Sequence, residues 1–145
     1  MYTYKYPHPA VTADCIVFAH DGDDVLVLLI QRLHDPFCGC WAFPGGFMNI
    51  DETAEAAAVR ELEEETGLKI ASVRQVGAFS RVDRDPRERV VTVAFYAELP
   101  SVQCVKPGDD AGSARWFSLK HLPSLAFDHS EILEAAYSLW SSALK

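Results

Sequence analysis

Three glutamates crowded onto neighbouring turns of a predicted helix constrain this chain most strongly. Glu61, Glu64 and Glu65 stand at spacings of three and four in an alanine-rich, helix-forming run. At about 100° per residue, the three carboxylates share an arc of about 100°. Like charges so close repel, so a purely structural helix gains nothing from this arrangement. A divalent cation that prefers oxygen ligands would remove the repulsion, and the cluster therefore predicts a Mg²⁺ site. The alternative is a crowded but solvated acidic face.

The spacing around these glutamates resembles a known family signature. Gly46 is followed after five residues by Glu52, and after seven more by the Arg-Glu-Leu-Glu-Glu-Glu-Thr-Gly-Leu run of residues 60–68. This pattern resembles a complete Nudix box, and the likeness extends upstream through Trp-Ala-Phe-Pro-Gly-Gly at residues 41–46. The resemblance implies an α+β Nudix fold, with a mixed β-sheet sandwiched between α-helices, and one Nudix hydrolase domain over residues 1–145.

The resemblance also implies roles for residues of the box. Glu61 and Glu65 would bind the metal, Glu64 would be a further ligand, and the carbonyl of Gly45 would complete the shell. Arg60 and Glu52 would orient the glutamates. Glycine at positions 45 and 46 makes physical sense, because the backbone there must turn sharply and expose a carbonyl.

The implied reaction is hydrolysis of a nucleoside diphosphate linked to another group, with Mg²⁺ as the cofactor and Mn²⁺ as the alternative. A bound metal would neutralise the diphosphate and lower the pKa of a bound water. The identity of the general base stays open at this point. Glu61 or Glu64 rank slightly ahead of Asp83, Asp85 and Glu88.

A second segment, residues 79–91, carries four arginines, which would bind phosphates through bidentate contacts. A polar hairpin loop is the plainer interpretation. The Arg-Asp-Pro-Arg-x-Arg-Val-Val run of residues 84–91 and the Ala-Phe-Asp-His run of residues 126–129 resemble a bacterial Nudix group, the ADP-ribose pyrophosphatases. The candidate substrate-binding residues are Arg32, Arg81, Arg84, Arg87, Gly46 and Phe127.

Composition limits the remaining function classes. A chain of 145 residues is the size of one domain. With 13 basic and 21 acidic residues, its net charge of −8 disfavours general binding to nucleic-acid phosphates. The N-terminus lacks an apolar signal region, and the longest apolar run, residues 25–30, is too short to cross a bilayer. We therefore expect a cytoplasmic protein that acts on a small molecule, with no membrane partner, and a homodimer by family resemblance.

Local patterns predict the secondary structure. Strands are expected over residues 11–18, 25–31, 70–80, 90–99 and 114–117, a loop over 36–46, and a helix over 130–139. In the glutamate helix, Asn49 or Asp51 would cap the start, with Glu52 as a capping-box partner of Asn49, and Gly67 would end it. Small residues at Ala54, Ala57 and Ala58 would let this helix lie close to its neighbours.

Other residues favour no further site. His34, Cys38 and Cys40 invite comparison with a zinc site, but the cysteine spacing is wrong and a second pair is missing, so loop cysteines without a metal are expected. Cys15 and Cys104 are predicted to lie in the core or in strands. His121 and His129 fit no ligand pattern.

Two other functions fit the same box. One is a nucleoside triphosphate pyrophosphatase, including one that removes oxidised nucleotides. The other is a non-catalytic ADP-ribose-sensing module, because related Nudix domains serve in transcription regulators. Those regulators add a winged-helix domain and often have a degraded box, so the complete box here favours an enzyme.

Overall fold

A computed structural model describes residues 1–144. Nine elements follow in chain order, seven strands and two helices. They are β1 (Ala10–Asp21), β2 (Asp24–Arg32), β3 (Trp41–Ala42), β4 (Gly45–Phe47), α1 (Ala54–Thr66), β5 (Arg74–Phe79), β6 (Val90–Leu99), β7 (Ala111–Ser118) and α2 (His129–Ala143).

The strands form one mixed sheet around β1. Strands β3, β2, β1, β6 and β5 lie side by side in that order, β4 adds to β1, and β7 adds to β2. The β1–β6 pairing is parallel over ten residue pairs, from Ala10 opposite Val90 to Ala19 opposite Leu99, and every other strand pairing is antiparallel. The predicted α+β class with a mixed sheet is therefore confirmed.

The two faces of β1 explain why a helix covers each side of the sheet. Successive strand residues point to opposite faces. Cys15 and Val17 pack in one core cluster with Leu62 of α1, while Ile16 and Phe18 pack in a second cluster with residues of α2. Ala57 and Ala58 are fully buried, so small side chains bring α1 close to the sheet, as predicted. This packing fixes the position of the glutamate helix.

Of the two predicted ends of α1, only the C-terminal end is confirmed. Gly67 ends the helix in a left-handed conformation, with φ of 76°, and its N–H donates to the Glu63 carbonyl at 2.8 Å. The predicted start at Asn49 or Asp51 is wrong, because Thr53 is the cap and its hydroxyl accepts the N–H of Ala56 at 3.0 Å. The expected contact between Glu52 and the N–H of Asn49 does form, at 2.8 Å, but in the loop before the helix.

The segment predicted as a loop over residues 36–46 contains two short strands. Trp41–Ala42 pairs with Gln31 and Ile30 of β2, and Gly45–Phe47 pairs with residues 12–14 of β1. These pairings depend on partners distant in sequence, so glycine and proline content alone misled the prediction. Within the described chain, neither helix combines the length and apolar character needed to cross a membrane.

The four cysteines differ sharply in their surroundings. Cys15 is fully buried in β1, whereas Cys38 and Cys104 are exposed. The prediction that Cys104 lies in the core or a strand is wrong, because it falls in the connection between β6 and β7. Burial, together with the nearby Asp14 carboxylate, raises the pKa of the Cys15 thiol to about 12.

A thiol-labelling experiment tests this placement of Cys15. At pH 8 we expect an aromatic disulfide reagent to react with Cys38 and Cys104 in the native protein and with Cys15 only after unfolding, because the buried thiol is both inaccessible and protonated. Mass spectrometry of the labelled peptides gives the readout. A Cys15→Ala variant should show the same native labelling as the wild type, and rapid native labelling of Cys15 would contradict the packing described.

Candidate active site

A cavity of about 470 Å³ lies where β4, the start of α2 and the loop between β5 and β6 meet α1. Its lining is dominated by charged side chains. The acidic ones are Asp14, Glu61, Glu65, Asp85 and Asp110, and the basic ones are Arg32, Arg60, Arg84 and Arg87. Acids and guanidinium groups in one concave site provide partners for a cation and for an anion together.

Glu61 and Glu65 form the acidic centre of this cavity. The carboxylate of Glu65 is largely buried and accepts the backbone N–H of Gly45 at 3.2 Å. Burial, followed by the negative charge of Glu61, raises the pKa of Glu65 to about 9. A positive charge placed beside this group would lower its pKa and favour the carboxylate form. A pair of oxygen ligands whose repulsion is relieved by positive charge fits a divalent metal ion.

Gly46 is required by the position of Glu61. A Cβ added at residue 46 would lie 2.6 Å from Oε1 of Glu61, closer than real Cβ contacts. A Cβ at Gly45 would collide with the side chain of Asp14. The two glycines therefore allow the β4 backbone to touch two carboxylates directly, which is a stronger reason for glycine than the sharp turn that the sequence suggested.

Arg60 holds the acidic centre in place. Its guanidinium donates to both oxygens of Glu52, at 2.6 and 3.0 Å, and to Oε1 of Glu61 at 2.9 Å. It also donates to the carbonyl of Phe47 at 3.2 Å. The hydrogen bonds that Arg60 donates to Glu52 raise the pKa of Arg60, so the guanidinium stays charged. These contacts match the orienting roles expected for Arg60 and Glu52.

Glu64 is placed differently from its two neighbours. Its side chain is 58% exposed, and its hydrogen bond is with Arg60 at 3.2 Å. Within residues 1–144, no three His, Cys, Asp or Glu side chains are already grouped closely enough to hold a metal ion. Glu61 and Glu65 thus form a pair, and the roles of Glu64 and of the Gly45 carbonyl stay predictions. Two carboxylates still suit Mg²⁺, which retains several waters.

Three residues that line the cavity, Asp14, Phe43 and His129, were not predicted as site residues. The buried Asp14 carboxylate accepts the hydroxyl of Thr92 at 2.6 Å. His129 stacks on Phe43 with ring centroids 5.3 Å apart, and its Nδ1 accepts the Phe43 N–H at 3.1 Å. Its Nε2 lies 3.9 Å from Asp14. Single polar residues in apolar strands carry no spacing pattern, so the Ala-Phe-Asp-His run was the one available signal, and it pointed to His129 only.

The four arginines predicted to bind substrate differ in their contacts. Arg32 lines the cavity, and its Nε donates to the Pro36 carbonyl at 2.7 Å; within the described chain it has no ion pair with a carboxylate. Burial and the charge of Arg87 lower the pKa of Arg32. Arg87 also lines the cavity and is paired with Asp85 at 2.8 Å. No carboxylate neutralises Arg32 within the described chain, so it is the cavity arginine best able to bind an incoming anion.

The other two arginines, Arg84 and Arg81, are paired with carboxylates. Arg84 is only 4% exposed and makes two hydrogen bonds to Asp128, at 2.7 and 2.9 Å, so it joins the β5–β6 loop to the start of α2. Arg81 does not line the cavity, because Glu131 at 2.6 Å and Asp83 at 3.1 Å hold it at the surface, and its role in substrate binding stays a prediction. Phe127 does line the cavity, with Arg32 above its ring.

The match to a family model decides the classification. The model of the NUDIX domain matches residues 8–136. The chain belongs to the Nudix family. The expected resemblance is thereby confirmed, and hydrolases of this family use divalent metal ions.

Three similar proteins place this Nudix chain more closely. It is 45% identical to an ADP-ribose pyrophosphatase of Methanocaldococcus jannaschii, over 94% of this chain and 78% of that protein. It is 34% identical to the ADPR responsive transcriptional repressor NtrR of Acinetobacter baylyi, over 92% of this chain but only 55% of that protein. The NUDIX domain of Shewanella oneidensis NrtR, solved with ADP ribose, superposes with a TM-score of 0.89 at 30% identity, covering 96% of this chain and 94% of that domain.

The buried position of His129 predicts how the stability of the protein depends on pH. Burial lowers the pKa of His129 below its ordinary value. The unfolded chain therefore binds a proton that the folded chain does not, and stability should fall as pH drops below about 6.5. For one proton the slope is at most about 1.4 kcal/mol per pH unit. Urea unfolding in EDTA at several pH values measures it.

Substitution separates His129 from the other titrating groups. We expect His129→Asn to flatten the dependence of the unfolding free energy on pH between pH 5 and 6.5. The matched control is His121→Asn, because His121 is exposed and should leave the wild-type slope unchanged. Equal slopes in all three proteins would contradict a buried neutral His129.

Proposed function

We propose that the protein hydrolyses ADP-ribose to AMP and ribose 5-phosphate with a divalent metal ion, Mg²⁺ being preferred and Mn²⁺ the alternative. The observation that carries this proposal is the meeting of the Glu61–Glu65 pair with Arg32 and Arg87 in one cavity of about 470 Å³. A diphosphate needs cationic partners on both sides, and this cavity offers a place for a metal at one side and guanidinium groups at the other. The similarity to an ADP-ribose pyrophosphatase supports the choice of substrate.

Different site residues would have different roles in this reaction. Glu61 and Glu65 would hold the metal, whose chemistry when bound is to neutralise phosphate oxygens and activate a water molecule. Arg32 and Arg87 would bind phosphate oxygens and align the anhydride for attack by water on phosphorus. Water adds to one phosphorus while the anhydride P–O bond breaks, so both products leave as phosphate monoesters. Arg60 and Glu52 would fix the orientation of Glu61.

The placement of the acids narrows the choice of general base. Glu61 lines the cavity, whereas Asp83 is 84% exposed and paired with Arg81 at the surface. Asp85 lines the cavity but accepts two hydrogen bonds from the Arg87 side chain, at 2.8 and 3.1 Å. A carboxylate engaged in this way is a weaker proton acceptor. Glu61 also accepts a hydrogen bond from Arg60, at 2.9 Å, and would bind the metal, whereas Glu64 is 58% exposed. We therefore keep both Glu61 and Glu64 as candidates for the base, ahead of Asp83 and Asp85.

A sensing function is the second candidate, and the Acinetobacter baylyi repressor favours it. A sensor would bind ADP-ribose in the same cavity without hydrolysing it. The complete acidic box with its Arg60–Glu52 clamp favours catalysis, since a sensor has no need for a buried carboxylate pair. Nucleoside triphosphate hydrolysis stays as the other enzymatic alternative.

The setting of the reaction is part of the proposal. We infer a cytoplasmic protein acting on a small nucleoside diphosphate derivative and not on a nucleic acid or a membrane. A net charge of −8 supports the first exclusion, because such a chain repels phosphate polymers in general. The homodimer expected from family resemblance and the single domain over residues 1–145 also stay predictions.

The decisive experiment compares Glu65→Gln with Glu63→Gln. Both changes remove one carboxylate from the same helix, but Glu63 is exposed on its outer side and Glu65 is buried at the cavity. With Mg²⁺ and ADP-ribose, we expect Glu65→Gln to lower kcat/KM by at least about 100-fold, or about 2.7 kcal/mol, while Glu63→Gln stays near the wild-type value. AMP release is measured by chromatography.

Three results would refute parts of the proposal. The metal assignment is wrong if Glu65→Gln keeps wild-type turnover or if wild-type turnover survives EDTA. The enzymatic function is wrong if the wild type binds ADP-ribose tightly but releases no AMP over hours, which is the result expected of a sensor. A parallel panel with oxidised nucleoside triphosphates tests the third alternative.

Arg32 gives an independent prediction about the substrate phosphates. Arg32→Ala should raise KM for ADP-ribose by about 10-fold or more, because a charge-assisted bond to phosphate contributes about 1.5–3 kcal/mol. Arg74→Ala is the matched control, since Arg74 is an exposed arginine of β5 outside the cavity. Steady-state kinetics at saturating Mg²⁺ measure both variants. An equal KM in Arg32→Ala and the wild type would remove Arg32 from the substrate site.

A further inference from the structure

Two phenylalanines, Phe127 in the cavity lining and Phe37 packed against its ring, hold an unusual backbone conformation. Phe37 and Phe127 are the non-glycine residues with positive φ in the described chain, at 62° and 52°. This region is unfavourable for bulky side chains, and such strain collects at functional sites. The two rings contact each other edge to face, with centroids 4.9 Å apart and planes at 60°. We call this pair the aromatic corner.

The loop that carries Phe37 is anchored at both ends. The N–H of Arg32 donates to the Cys40 carbonyl, and the N–H of Gly39 donates to the Arg32 carbonyl, each at 2.9 Å. The Arg32 side chain closes the loop from within by donating to the Pro36 carbonyl at 2.7 Å. The same arginine therefore faces the cavity and supports the backbone beside Phe37, so the aromatic corner is positioned before any ligand arrives.

The two rings of the aromatic corner differ in what already covers them. The guanidinium groups of Arg32 and Arg87 lie 4.9 and 5.7 Å from the centroid of Phe127. Phe37 is 40% exposed, and the neighbouring Leu33 is exposed as well. Apolar surface left open beside a charged cavity indicates a ligand with both a charged and a planar apolar part. A nucleotide has both.

We infer that the aromatic corner is the nucleobase subsite, with the base stacked on Phe37 and its phosphates reaching Arg32 and Arg87. This inference rests on the proposed function and names the part of the substrate that the metal and arginines do not recognise. Stacking on an aromatic ring accepts any base and gives affinity more than catalysis. Phe37 is thus a residue that separates nucleotides from sugar phosphates.

Phe47 is the alternative aromatic ring for stacking of the base. It lines the same cavity and is exposed, but it lies on β4 directly after Gly46, and its carbonyl accepts a hydrogen bond from Arg60 at 3.2 Å. It therefore stands at the acidic end of the cavity. Phe127 lies beside Arg32 and Arg87, and Phe37 packs on Phe127, so a base linked to a phosphate bound by these arginines would lie next to this pair of rings.

The two products of the proposed reaction provide matched probes, because AMP carries a base and ribose 5-phosphate does not. Isothermal titration would measure the Kd of each for the wild type, Phe37→Ala, Phe37→Trp and Phe47→Ala. We expect Phe37→Ala to weaken AMP binding by about 10-fold or more and to leave ribose 5-phosphate unchanged. Phe37→Trp should retain AMP binding, and Phe47→Ala should weaken it less than Phe37→Ala.

Several results would overturn the subsite. These are equal losses for AMP and ribose 5-phosphate in Phe37→Ala, a larger loss of AMP in Phe47→Ala, or no AMP binding to the wild type at millimolar concentration. Thermal unfolding of each variant checks that the fold is kept, which the exposed position of Phe37 favours. If the wild type binds AMP as expected but does not hydrolyse ADP-ribose, the subsite stands and the proposed function fails.

Discussion

The acidic centre depends on the contact between the Glu61–Glu65 pair and the glycine backbone of β4. Gly45 donates its N–H to Glu65, and Gly46 leaves room for Glu61 against its own α-carbon. Burial, and after it the negative charge of Glu61, raises the pKa of Glu65. The fold therefore stores an electrostatic cost at this point, which a divalent cation relieves. Metal binding would therefore also stabilise the acidic centre.

The rest of the fold holds that contact together. Alanines at 57 and 58 bring α1 against the sheet, and the pairing of β4 with β1 sets Gly45 opposite Asp14. On the other face, the buried Arg84–Asp128 pair joins the β5–β6 loop to the start of α2, where His129 supports the Phe43 backbone. Three distant parts of the chain thus converge on one short glycine segment.

Much of this arrangement was predictable from the sequence because local physics governs it. Helical spacing placed the glutamates, Gly67 ended the helix, and β-branched and aromatic residues marked β6 over residues 90–99. The cap at Thr53 is a local signal, three residues before its partner Ala56, and the earlier Asn49 and Asp51 were chosen in its place. Strands β3 and β4 and the surface pairing of Arg81 with Glu131 depend on partners that spacing does not reveal. Asp14 and His129 were missed for the same reason.

The charge balance of the cavity accounts for the difference between its arginines. Arg60 is held by Glu52 and Glu61, Arg84 by Asp128, and Arg87 by Asp85. Each of these pairs stabilises the protein in the absence of substrate, so a phosphate must compete with a carboxylate already in place. Arg32 is bonded to backbone carbonyls instead, and a carbonyl neutralises no charge. An arriving diphosphate would therefore gain most at Arg32, the residue that also supports the loop of Phe37, so recognition of the phosphate and of the base would act through one side chain.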